Sequence, residues 1–66
     1  MLKLTSQKGI DVYIAPQAIL YMERLSPGGW TEVGLTRGNI FVKETPEAIL
    51  AHPQMVYFLN PAMVLL

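Results

Sequence analysis

The side chains able to serve as nucleophile, base or orienting group are few: Ser6, Ser26, Asp11 and His52. Acyl transfer needs a hydroxyl activated by a base that a third group holds in place, all within hydrogen-bond reach. Neither serine lies in a Gly-x-Ser-x-Gly turn, the sharp strand-to-helix elbow that presents a nucleophile. The absence of cysteine removes thiolate catalysis, thiolate metal sites and disulfides together. A single histidine rules out a multi-histidine metal site within one chain. Glu44 and Glu47 are spaced for paired acid and base work. They also flank Thr45-Pro46, a helix start, where the dipole favours carboxylates for structural reasons. Gly28-Gly29 lacks the Lys and Ser or Thr that complete a phosphate-cradling loop. No catalytic residue, metal ligand or cofactor is assigned, and the chain reads as a non-enzyme.

Binding chemistry is better represented. Trp30 beside Gly28-Gly29 is either a lid on the core or an interface anchor, the role in which tryptophan is enriched. Tyr57, Phe58, Met63, Leu65 and Leu66 in the apolar tail join it as interface candidates. Lys3, Arg24, Arg37 and Lys43 are spread over separate strands and turns and read as solvated edge charges. If an oligomer brought copies together, Arg24 and Arg37 would be the candidates to ring a small anionic ligand. His52, followed by Pro53, reads as a cation-friendly cap at a helix end.

The elements that would position these residues are mostly strands. Leu2 and Leu4 alternate with Lys3 and Thr5, and Ile10, Val12 and Ile14 with Asp11 and Tyr13, the period of a half-buried strand. Gln7-Lys8-Gly9 turns one into the other. Pro16 breaks the second strand. Residues 18–25 then place Ile19, Tyr21 and Leu25 on one face and Leu20 and Met22 on the other. With 30–35 and 40–43 they make a three-stranded meander, turned at Ser26-Pro27-Gly28-Gly29 and Thr36-Arg37-Gly38-Asn39. Thr45 as N-cap and Pro46 as first helical residue open one short helix near 46–51, which Pro53 ends. Met55 to Leu66 reads as strand, Asn60-Pro61 corner, strand. Its first part echoes Val12-Tyr13-Ile14-Ala15-Pro16.

Composition sets the partners. Hydrophobic residues make up 52% of 66 residues and charged residues 15%, against roughly 25% charged in typical soluble domains. A chain this short has a marginal core and usually needs disulfides, metal or oligomerisation. With the first two absent from the sequence, assembly of like copies is the staple left. A net charge of zero argues against nucleic acid, whose phosphates demand a basic excess. No apolar run approaches a membrane span, and the start is unlike a signal peptide, so an intracellular, cytoplasmic location is expected.

Met1-Leu2-Lys3-Leu4-Thr5, Tyr13-Ile14-Ala15-Pro16, Thr31-Glu32-Val33-Gly34-Leu35 and Phe41-Val42-Lys43-Glu44-Thr45-Pro46-Glu47 resemble the FlbD-type family of small flagellar and swarming-motility proteins. The resemblance covers residues 1–50 and implies a motility role. Ile19-Leu20-Tyr21-Met22-Glu23 is similar to a strand of LytTR-type DNA-binding domains, whose basic loops have no counterpart here. The expectation is one small domain over 1–66, mostly β. Its core element is a small antiparallel sheet or open barrel of five to seven strands with one short helix. Its expected function is that of a non-catalytic homo-oligomeric interaction module, an adaptor or regulator acting through protein binding. The alternative is a phage-type inhibitor or ligand-sequestering protein that binds an anion or nucleotide between subunits.

Overall fold

A computed structural model describes residues 1–26, 29–58 and 63–65, and the side chains of all of these except 56–58 and 65. Among these residues six strands run in the order β1 (Leu2–Thr5), β2 (Asp11–Ile14), β3 (Ile19–Arg24), β4 (Thr31–Leu35), β5 (Gly38–Val42) and β6 (Val64–Leu65). Two helices, α1 (Pro46–Leu50) and α2 (Pro53–Phe58), lie between β5 and β6. The sheets are open. One is the β1–β2 hairpin and the other has the order β5–β4–β3–β6.

The hairpin forms because its alternation is clean. Leu2 pairs with Ile14 and Leu4 with Val12, and Leu2, Leu4 and Ile14 are buried. Gly9, at φ 78°, takes the left-handed conformation its turn requires. Ser6 pairs with Ile10 through the Ser6 N–H and the Ile10 carbonyl at 2.9 Å. A 3-10 turn at Pro16–Ala18 then redirects the chain, with Pro16 buried at its first position.

The meander forms as expected, with Thr31 opposite both Arg24 and Val42 and with Val33 between Met22 and Ile40. Its register breaks once: Ile19 faces Leu35 but Tyr21 faces Gly34. Leu20 is therefore an extra residue, a β-bulge. The bulge corrects the strict period-two reading of 18–25. One unpaired residue flips the side-chain sequence, so Ile19 and Met22 both point inward and are fully buried while Leu20 is exposed.

The hairpin is attached to β5. The Lys43 N–H donates to the Thr5 carbonyl at 2.9 Å and the Gln7 N–H to Phe41 at 3.2 Å, with Ser6 bridging Val42. Both oxygens of Glu44 accept the Thr5 N–H, at 2.9 and 3.1 Å. The strands thus follow one another as β2–β1, then β5–β4–β3–β6. Inside them lies one core of Leu2, Leu4, Ile14, Ile19, Met22, Val33, Val42, Ile49 and Met55. The radius of gyration, 10.7 Å, is what a compact chain of this length should have, about 11 Å.

The helical region corrects the sequence reading in two ways. Thr45 caps α1 as expected, its Oγ1 accepting the Ala48 N–H at 3.1 Å, and Ile49 docks in the core. Pro53, however, starts a second helix, because a first-turn proline forfeits no hydrogen bond. His52 Nδ1 accepts the Gln54 N–H at 3.2 Å, and the Met55 N–H reaches the His52 carbonyl at 2.9 Å. His52 thus serves the N-terminus of α2 instead of a cationic role at the end of α1. The expected strand at Met55 to Phe58 is this helix. A short apolar run does not separate a period of two from one of 3.6, and the helical turn buries Met55 to 1% exposure. With 57–58 helical and 12–14 extended, the internal echo does not hold. The last strand exists at Val64–Leu65 but runs parallel to β3, pairing Tyr21 with Val64 and Met22 with Leu65. The Asn60-Pro61 corner and the Pro27-Gly28 part of the meander's first turn lie outside the described residues.

Candidate functional site

The inner face of the meander is covered by the hairpin and the helices. On its other face the register places Tyr21 and Glu23 of β3, Glu32 and Gly34 of β4, and Asn39 and Phe41 of β5. Trp30 and Lys43 follow at one end, with Lys43 Nζ 5.9 Å from the centre of the indole ring, a cation–π distance. Tyr21, Trp30 and Phe41 are each half-buried. Val64, which shares this face beside Tyr21, is 51% exposed, and Leu25 at the far end of β3 is 47% exposed.

Two local devices order this face. Tyr21 lies flat on Gly34: a Cβ there would sit 1.8 Å from Tyr21 Cε2. Only glycine leaves room for the ring, and the ring in turn buries Gly34. The Tyr21 hydroxyl then donates to Glu32 Oε2 at 2.5 Å, and Asn39 Nδ2 donates to the same oxygen at 2.7 Å. The bond to Glu32, then desolvation and the Glu32 charge, raise the Tyr21 phenol above its ordinary value; the Glu23 charge adds to this. The bonds from Tyr21 and Asn39 hold Glu32 below its ordinary value. Glu23 stands directly opposite Glu32 and has no hydrogen bond or ion pair among the described residues. Like charges placed so are mildly unfavourable.

The other candidates fall as follows. Met63 is half-buried and packs against the core. Leu66 and the side chains of Tyr57, Phe58 and Leu65 lie outside the described residues. Arg24, at the Thr31 end of the meander, is ion-paired to Glu47. Arg37 lies in the two-residue turn between Leu35 and Gly38, at the opposite end. The two arginines therefore do not converge within one chain.

Glu44 and Glu47 part company, one to Thr5 and the other to Arg24. Ser6 Oγ accepts the Ile10 N–H at 3.3 Å and Asp11 lies 3.9 Å from Lys3. No hydrogen bond joins Ser6, Ser26, Asp11 and His52 among the described residues. No group of three potential metal ligands occurs among them, and no helix is long and apolar enough to cross a membrane.

The sequence reading noted the alternation of Trp30, Glu32 and Gly34 but not the set built on it. The missing signal is the register, which brings Tyr21 over Gly34 from a strand thirteen positions earlier. No protein-family model, curated protein or solved structure matches the chain.

Proposed function

We propose that the chain is a non-catalytic, homo-oligomeric interaction module, an adaptor or regulator that acts by binding protein, with the open face of the meander as its recognition surface. The observation that carries this reading is the set of three half-buried aromatic rings, Tyr21, Trp30 and Phe41, on the side of the meander that no other element among the described residues covers. Aromatic anchors supply most of the energy in protein interfaces. Rings already held in place lose little entropy when a partner arrives. Tyr21 is held by Gly34 and Glu32, and Trp30 lies under Lys43. On the FlbD-type likeness of residues 1–50, the partner belongs to the motility machinery.

The test is photo-crosslinking from position 41, with p-benzoylphenylalanine in place of Phe41. The captured protein is then purified and rebound in solution. Trp30→Ala should weaken that binding by about tenfold or more, the loss typical of a hot-spot residue, while leaving the circular dichroism spectrum unchanged. Unchanged affinity in Trp30→Ala, or adducts confined to nucleic acid, overturns the reading.

A further inference from the structure

The array of strands has two ends, and they differ. At one end, β6 pairs with β3 at Tyr21 and Met22, and the bulge at Leu20 distorts the ladder beside it. At the other end stands β2, regular over Asp11–Ile14, with no lysine, proline or bulge within it. Those are among the devices that blunt an edge; of the others, β2 has its length of four residues and one charge, Asp11, 3.9 Å from Lys3 of β1.

The side of β2 that is open follows from its pairing with β1. Residues directly opposite in an antiparallel pair alternate between hydrogen-bonded and non-bonded pairs. Ser6 and Ile10 are bonded through their backbones, so Leu4–Val12 and Leu2–Ile14 are bonded pairs, and Thr5–Asp11 and Lys3–Tyr13 are not. Thr5 confirms the parity, since its N–H and carbonyl turn away from β2 to Glu44 and Lys43. The N–H and carbonyl groups of Asp11 and Tyr13 therefore point outward, and among the described residues nothing meets them. The flanking side chains are bare: Tyr13 is 61% and Ile10 59% exposed.

We propose that β2 pairs with β2 of a second copy, antiparallel about a two-fold axis at Val12. This rests on the homo-oligomeric part of the reading above and supplies its interface. The register is chosen by charge and by parity. An axis at residue 11 sets Asp11 against Asp11, like charges in direct opposition. An axis at residue 13 requires the carbonyl of Ala15, which already accepts the Ala18 N–H at 2.9 Å.

With the axis at Val12, Asp11 of each copy faces Tyr13 of the other, and the four outward backbone groups on each side are satisfied. On the inner face Ile10 meets Ile14, Val12 meets Val12 and Ile14 meets Ile10, an unbroken row of β-branched pairs. The exposed Ile10 gains an apolar neighbour. On the outer face each Asp11, beside Lys3 of its own chain at 3.9 Å, gains the Tyr13 phenol. The hairpins join as β1–β2–β2–β1, and the open face of the meander remains free for its partner.

The test uses the absence of native cysteine. Val12→Cys places two thiols in a non-hydrogen-bonded pair with Cα atoms about 4.5 Å apart, inside the disulfide range of roughly 4.4–6.8 Å. It should oxidise to a covalent dimer much faster than Lys8→Cys in the exposed turn or Tyr13→Cys. A second measurement covers the case of a thiol shielded from oxidant. A synthetic chain N-methylated at Tyr13 loses an outward donor and keeps every bond to β1. Its dimer dissociation constant should rise by about tenfold or more, whereas N-methylation at Lys8 leaves it unchanged. A wild-type chain that stays monomeric throughout the micromolar range overturns both this interface and the homo-oligomeric reading. Oligomers that ignore N-methyl-Tyr13 and show no preference for Val12→Cys overturn the interface alone.

Discussion

Glu44 joins the two sheets, and replacing it measures how strongly. In Glu44→Ala the half-buried Thr5 N–H loses acceptors at 2.9 and 3.1 Å, while the neighbouring bond from Lys43 to the Thr5 carbonyl remains. A hydrogen bond to a charged group contributes about 1.5–3 kcal/mol. Because water can reach this amide in part, the lower end applies, about 1.5 kcal/mol. A domain of this size holds roughly 3–5 kcal/mol in all, so the loss is a large share. At about 4–8 °C per kcal/mol for small domains, Tm should fall by about 6–12 °C. Glu44→Gln keeps an oxygen in place without the charge and should lose about half as much. The assay is thermal unfolding by circular dichroism together with amide exchange at Thr5, which should quicken in Glu44→Ala and stay slow in Glu44→Gln. If Glu44 acted only through the dipole of α1, Glu44→Ala would cost about 0.3–1 kcal/mol and leave Thr5 exchange unchanged. That outcome refutes the account of the junction.

Thr31 is fully buried with no partner for Oγ1 among the described residues. Thr31→Val keeps the shape, removes the stranded hydroxyl and should stabilise by about 1 kcal/mol. The readout is a higher urea midpoint at unchanged slope, and a lower midpoint refutes it. Thr45→Ala removes the cap on Ala48 and should cost about 1 kcal/mol, with faster exchange at Ala48; an unaltered Tm counts against it. Tyr21→Phe tests the ordered face through pH. The Tyr21 phenol is raised, so its contribution is whole below its ordinary 10.0 and is lost as pH climbs through the raised value. Glu32 is lowered, so its contribution is whole above its ordinary 4.5 and is lost as pH falls through the lowered value. The difference in urea midpoint between wild type and Tyr21→Phe should be greatest between those limits and shrink at both extremes. A constant difference refutes the hydrogen-bonded pair.

Local pattern made the hairpin, the meander and α1 legible. Leu2, Leu4, Val12 and Ile14 alternate without interruption, Gly9 and Gly38 mark turns that require positive φ, and Thr45-Pro46 is a start signal with a mechanism. Three features escaped because each depends on contacts distant in sequence. The bulge at Leu20 is invisible to a count of alternating residues, since hydrophobic side chains occupy 19, 20, 21 and 22 in any register. The tail misled because its apolar run fits either period. Burial of Met55 beside Ile49 decides for helix, and that depends on the meander already being in place. Glu44 looked like half of a carboxylate pair at the helix start. It instead spans thirty-nine positions to Thr5, a partner no spacing rule selects.

Composition does not say where a short chain's apolar side chains surface. In the tail, Met55 is buried, Met63 packs on the core and Val64 is exposed, while Leu66 and the side chains of Tyr57, Phe58 and Leu65 lie outside the described residues. Elsewhere among the described residues, exposed apolar side chains lie on or beside the first hairpin, at Met1, Ile10 and Tyr13, with Leu20 and Leu25 at the margins of the meander. A closed barrel abolishes strand edges, whereas an open array keeps two. Here one edge is joined by β6 and distorted by the bulge, and the other, β2, is regular, with Asp11 as its one charged residue. The outward backbone groups of Asp11 and Tyr13, unmet among the described residues, lie beside the exposed side chains of Ile10 and Tyr13, and pairing with a second β2 would meet both.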